Sequence, residues 1–173
     1  DWEPVVTVSI GGERRAYPVQ LLTWHEVVND TVGGVPVAVT YSPLCNSIVV
    51  YDRRVDGQAL VFGETGRLRD ANAVMYDKET ESWWQQYTGE AIVGDLTGKR
   101  LRPVAARVES FIRFRNVAPE GTVVMPRSPA MRQYGQNPFA YYDTRGKPDH
   151  SFAGALPAGI APLARVVSVG DQA

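Results

Sequence analysis

Short β-rich runs joined by tight turns recur through the first sixty residues, and that pattern favours antiparallel strands. Val5-Val6-Thr7-Val8-Ser9-Ile10 is β-branched and alternating, Gly11-Gly12 turns it, and Arg14-Arg15-Ala16-Tyr17 returns as its partner. Asp56-Gly57, set between the Ile48–Val55 run and Ala59-Leu60-Val61-Phe62, is the strongest hairpin signal in the chain. Val35, Val37, Val39 and Tyr41 line one side of another strand, with Pro36, Ala38 and Thr40 opposite. Such sequential hairpins favour up-and-down neighbours, and no βαβ rhythm points to a parallel sheet.

Helical spacing is rarer. Pro18 suits a first helical turn, and Leu21, Leu22, Trp24 and Val28 predict a helix over Val19–Asn29 that turns His25 toward the core. Asn29-Asp30 and Gly33-Gly34 close it. Further on, Ala73–Tyr76 and Ser82–Gln85 pair through Lys78-Glu79-Thr80-Glu81, after a polar loop at Arg67–Asn72. Leu101–Val104 and Thr122–Met125 are short strands, and Glu109–Asn116 is a short helix burying Phe111, Ile112 and Phe114. Pro126–Pro162, rich in Pro, Gly, Tyr and Asn, reads as irregular wrapping. The expected fold is α+β and β-rich: an antiparallel meander forming a barrel or sandwich, with one main helix and one or two short ones.

At 173 residues the chain fits one domain, 1–173. Val167-Ser168-Val169-Gly170 echoes Val8-Ser9-Ile10-Gly11, as if a further unit began after residue 165. A net charge of −1 with interspersed signs lacks the basic footprint of a nucleic-acid binder. No apolar run approaches the roughly 18 residues of a membrane span. One cysteine excludes an internal disulfide.

Chemistry concentrates in Thr23–Ser47, which holds the single cysteine, Cys45, and one of the two histidines, His25. Cys45 follows a proline turn at a strand end, where a side chain can face a pocket; the bland alternative is a small buried thiol packed as a hydrophobe. Thiolate plus imidazole suits copper, whereas a closed zinc site needs four ligands that one cysteine and two histidines do not supply. Glu26 points about 100° from His25 on a helix and joins the same metal only if the helix frays. A Cys45–His25 nucleophile pair is the enzymatic alternative, with Asn46, Asn72 or Asp77 to orient the ring. The bland reading of His25 is a satisfied histidine at the helix–sheet seam. A non-catalytic module is a third reading, binding a peptide or sugar through exposed aromatics: Trp83 or Trp84, whose rings face opposite sides of a strand, and Tyr141-Tyr142. Asp77, Glu79 and Glu81 otherwise read as turn residues and solvated charges, and His150 as a surface residue.

The motifs Trp24-His25-Glu26, Val28-Asn29-Asp30, Tyr41-Ser42-Pro43-Leu44-Cys45-Asn46-Ser47, Met75-Tyr76-Asp77 and Thr80-Glu81-Ser82-Trp83-Trp84-Gln85-Gln86 resemble a family. It is the prokaryotic domain of unknown function numbered 3179, and Thr88–Gly94, Tyr134-Gly135 and Asn137-Pro138-Phe139 extend the likeness over nearly the whole chain. The resemblance implies an exported or membrane-anchored, extracytoplasmic setting. The family's usual Cys-Pro-Leu-Cys stands here as Ser42-Pro43-Leu44-Cys45, and its usual Asn-Ser-Asp as Asp70-Ala71-Asn72. Ser42 thus marks the place of a missing thiol, and two-cysteine exchange would stall on Cys45. The favoured expectation is a thiol or copper redox centre at Cys45 and His25, altered by Ser42, acting on a small molecule or a protein thiol.

Overall fold

A computed structural model describes residues 2–146, 155 and 158–164. In chain order the elements begin β1 (Pro4–Ile10), β2 (Glu13–Pro18), α1 (Val19–His25), β3 (Val27–Val32), β4 (Val35–Ser42), β5 (Ser47–Asp52), β6 (Arg54–Val55) and β7 (Gln58–Ala59). They continue as β8 (Phe62–Arg69), β9 (Asn72–Asp77), β10 (Trp83–Gln85), β11 (Ala91–Val93), β12 (Arg102–Val104), β13 (Ala106–Ser110), α2 (Phe111–Val117) and β14 (Thr122–Val123).

Three four-stranded sheets carry the fold, in the orders β13-β1-β2-β14, β12-β5-β4-β3 and β11-β10-β9-β8, with β6-β7 as a separate ribbon. Their pairings are antiparallel except for β14 beside β2. The β12-β5-β4-β3 sheet is the middle layer. On one face Val37, Val39 and Tyr41 of β4 pack on Val6, Val8 and Tyr17. On the other, Ala38 and Tyr51 pack on Phe62, Met75 and Trp84. Outside the first sheet, Phe114 and Ala118 cover Val5 and Ala16. The arrangement is sandwich-like with no closed barrel among the described residues, and α+β, β-rich describes it. The helices α1 and α2 are seven residues each. Gly33 fits because the β3–β4 turn lies against β1: a Cβ there would meet the Ile10 carbonyl oxygen at 2.2 Å, and its φ is +53°.

Strand alternation fixes where the site lies. Along β4 the side chains facing the third sheet run Ala38, Thr40, Ser42, so that face of the core turns polar toward one end. Thr40 and Ser42 are buried there, and the third sheet answers with Asn72 and Gln86, buried in turn. Buried polar side chains must bond one another, and these do.

Three expectations change. The helix stops at His25 rather than Asn29, because Glu26 takes φ +54° and Val27–Val32 pairs with β4 as a strand. The polar stretch Arg67–Asn72 is strand, turned at Asp70-Ala71. The Asp56-Gly57 hairpin joins only β6 to β7, since β5 pairs with β4 and β12 instead. The C-terminal echo at Val167–Gly170 and His150 lie outside the described residues.

Candidate functional site

Cys45 lies in the β4–β5 turn, over residues 43–46, and is exposed, not packed as a core hydrophobe. It lines a cavity of about 600 Å³ whose walls come from the 43–47 turn, Asp70-Ala71, Tyr87, the 137–143 segment and Leu163. Four residues of this wall, Asn46 (φ +50°), Asp70 (+52°), Ala71 (+60°) and Tyr141 (+65°), hold left-handed backbone. Such conformations cost non-glycine residues roughly 1 kcal/mol each and persist only where neighbours enforce them.

Beneath the sulfur runs a hydrogen-bond chain whose direction is set at both ends. The Tyr87 N–H donates to Asn72 Oδ1 at 2.9 Å, which turns the Asn72 amide so that Nδ2 faces Cys45 Sγ at 3.1 Å and Gln86 Oε1 at 2.8 Å. At the far end the Thr40 hydroxyl donates to the Val49 carbonyl at 2.7 Å, leaving its oxygen to accept from Gln86 Nε2 at 2.9 Å. Gln86 Oε1 therefore faces Asn72, and it also accepts the Ser47 hydroxyl at 2.5 Å. With that proton committed, Ser47 Oγ is an acceptor for the Cys45 thiol 3.2 Å away. The site thus offers the sulfur one fixed N–H donor and offers its proton two acceptors, Ser47 Oγ and, at 3.7 Å, the Ser42 carbonyl. Ser42 Oγ accepts the Ala73 N–H at 3.0 Å. Ser42 and Cys45 thus converge on adjacent residues at the start of β9, Ala73 and Asn72.

His25 is elsewhere. It is exposed at the end of α1, stacks on Tyr134, and shares a 2.6 Å hydrogen bond between Nε2 and the Tyr134 hydroxyl. It lines a second cavity of about 420 Å³ that shares no residue with the first. The Cys45–His25 pair, on which a copper centre or a nucleophile–base couple would rest, is therefore not assembled. No group of three or more His, Cys, Asp or Glu side chains suited to a metal occurs among the described residues. Partial burial, and after it the Arg132 guanidinium, lowers the His25 pKa.

Asp77 is a core residue, not a solvated turn charge. Fully buried, it accepts the Trp84 Nε1–H at 2.8 Å and the Thr80 N–H at 2.6 Å. Trp84 is buried and edge-on to Phe62, while Trp83 is half-buried under the Arg67 guanidinium. Tyr142 is buried, and the exposed rings on the cavity are Tyr141 and Tyr87. Asn46 accepts the Tyr41 hydroxyl at 3.2 Å. Gln86, Ser47 and Tyr87 are site residues that sequence reasoning missed. Period-2 spacing from buried Trp84 was the available signal for Gln86.

Glu26 caps the C-terminal end of α1. Burial pushes its carboxyl up to about 7, with Glu64 adding repulsion. Because the folded-state pKa exceeds the ordinary 4.5, the fold binds the extra proton between those values, and stability falls as pH rises through that window. Glu26→Gln is expected to raise stability by about 1 kcal/mol at pH 8, after discounting for partial exposure, and to change little at pH 4. Urea midpoints at the two pH values check this.

These features define a β-rich sandwich-like domain presenting one thiol on the wall of a cavity of mixed lining. The family described as "Protein of unknown function (DUF3179)" matches residues 1–173, and the chain belongs to it. No curated protein and no solved structure matches significantly. Among the described residues no helix is long and apolar enough to cross a membrane.

Proposed function

We propose that this domain is a one-thiol capture site: Cys45 takes a disulfide-bearing small molecule or protein partner as a mixed disulfide, and the cavity holds what is attached. The observation that carries this reading is that Cys45, an exposed residue, stands on a cavity wall with the Asn72 N–H aimed at its sulfur at 3.1 Å. In the exchange, the Cys45 sulfur attacks one sulfur of the ligand disulfide. The ligand S–S bond breaks, the Cys45–ligand S–S bond forms, and the other ligand sulfur leaves as a thiol with the Cys45 proton. The ligand disulfide is the oxidant. With Ser42 in place of a second thiol the adduct is not resolved internally, so it lasts until an external thiol arrives. An oxidising extracytoplasmic compartment, which the family resemblance implies, would supply such disulfides.

Asn72→Ala is expected to slow reaction of Cys45 with glutathione disulfide about tenfold, because the attacking sulfur loses the amide donor that Asn72 aims at it. Asn72→Asp keeps the acceptor for Tyr87 but offers the sulfur no amide donor, and should be slowed at least as much. Intact-mass kinetics of the +glutathione adduct measure both. Equal rates in the three proteins would overturn the assignment.

A non-covalent reading is favoured by Tyr87 and Tyr141, which are 64% and 79% exposed on the same cavity. A ligand stacking on them would bind Cys45→Ser as tightly as the parent, whereas capture is lost in that variant.

A further inference from the structure

The second cavity lies between α1, β3 and the segment after β14, and shares no residue with the thiol site. Its wall is fastened to the helix: Trp24 Nε1 donates to the Gln136 carbonyl at 3.2 Å, and Tyr134 stacks on and bonds His25. The floor is apolar, formed by Leu21, Val27, Val28 and Val124. Met125 and Met131, exposed at 70% and 71%, sit at the same cavity as flexible thioether side chains that can adapt to an apolar guest.

Its charge is one-sided. Arg127 and Arg132 line it, and no carboxylate among the described residues does. Neither guanidinium has an ion-pair partner among the described residues; Arg132 donates only to the neighbouring Met131 carbonyl, at 3.4 Å. The lowering of the His25 pKa by Arg132 registers the same positive field. His25 and two methionines are donor types that soft metals accept. Two guanidiniums on the same wall, uncompensated by any carboxylate there, oppose a cation and suit an anion.

We infer that this cavity binds an amphipathic carboxylate, its head between Arg127 and Arg132 and its apolar body on Leu21, Val27, Val28 and Val124. A volume of about 420 Å³ falls in the range of small-molecule sites. Head and tail are both required. The guanidinium fork recognises a carboxylate, and the floor loses its water only to an apolar group.

Decanoate, kept below its micelle concentration, is the probe, and amide chemical shifts of the labelled protein are the readout. Saturable shifts are expected over residues 21–28 and 124–134. Decanol, with the tail alone, and acetate, with the head alone, should each bind about tenfold more weakly or worse. The double variant Arg127→Gln/Arg132→Gln changes two exposed side chains and should weaken decanoate about tenfold while leaving decanol unchanged. Decanol binding as tightly as decanoate, decanoate binding unaltered in the double variant, or the absence of saturable shifts at these residues would each overturn the inference. None of these outcomes depends on Cys45.

Discussion

Ser42→Cys is expected to release a ligand captured on Cys45 roughly a thousandfold faster than millimolar external thiol releases it from the parent chain, and to leave an internal disulfide behind. Ser42 Oγ lies 3.0 Å from the Ala73 nitrogen and Cys45 Sγ lies 3.1 Å from Asn72 Nδ2, so the two side chains reach adjacent residues of β9. A thiol at position 42 would therefore sit beside the mixed disulfide it has to attack. Well-oriented intramolecular reactions reach effective molarities of about 10⁵ M or more, and millimolar external thiol cannot compete even if poor alignment costs most of that advantage. The balance is simple: the introduced sulfur attacks Cys45 Sγ, the ligand leaves as its thiol, and a disulfide forms between the two positions. Release of glutathione from a preformed adduct, followed by intact mass without added reductant, gives the rate directly. A stable adduct in Ser42→Cys would mean that the two side chains do not meet.

Trp84→Ala is expected to cost about 4 kcal/mol, a large share of the roughly 5–15 kcal/mol that holds a domain folded. The ring is fully buried, lies edge-on to Phe62 at 5.6 Å, and bonds Asp77 through Nε1 at 2.8 Å. Truncation opens a cavity between the second and third sheets and strips a buried carboxylate of one donor. Trp84→Phe keeps most of the packing and loses the N–H, so it should cost about 1–3 kcal/mol. Urea denaturation of the three proteins separates packing from hydrogen bonding. The effect extends to the site, because β10 carries Gln86 into place two residues after Trp84.

Much of this fold is legible in the chain. Val5–Ile10 and Val35–Tyr41 announce themselves by alternation and Ala73–Tyr76 as a short apolar run before a turn, and the structure pairs each of them in an antiparallel sheet. The misreadings have local physical causes. Leu21, Leu22 and Val28 fit a helical period, yet Val27-Val28 are β-branched and gain more by pairing with β4 than by extending a short helix. Asp70-Ala71 forms a tight turn with both residues at positive φ, positions where glycine or asparagine is the usual signal. An alanine there hides the turn and makes Arg67–Asn72 look like loop.

The site divides in the same way. Cys45 stands out by rarity, Asn46 by turn chemistry, and Ser42 and Asn72 by the family resemblance alone. Thr40, Ser47 and Gln86 do not, because a polar residue in a strand looks solvated until its face is known to be covered. The face of β4 bearing Ala38, Thr40 and Ser42 is covered by another sheet, and only the tertiary arrangement shows it. The separation of His25 from Cys45 is likewise long-range. About twenty residues of chain fold them onto different cavities, and no local pattern records that.

The measurement that bears most directly on the one-thiol account is an amide chemical-shift map of the Cys45–glutathione adduct against the free protein. The account predicts perturbations around the cavity, at residues 41–48, 70–72, 87 and 137–143, with the second cavity unchanged. Shifts confined to residues 44–46 would contradict it, for they would show an adduct hanging in solvent above a cavity that takes no part.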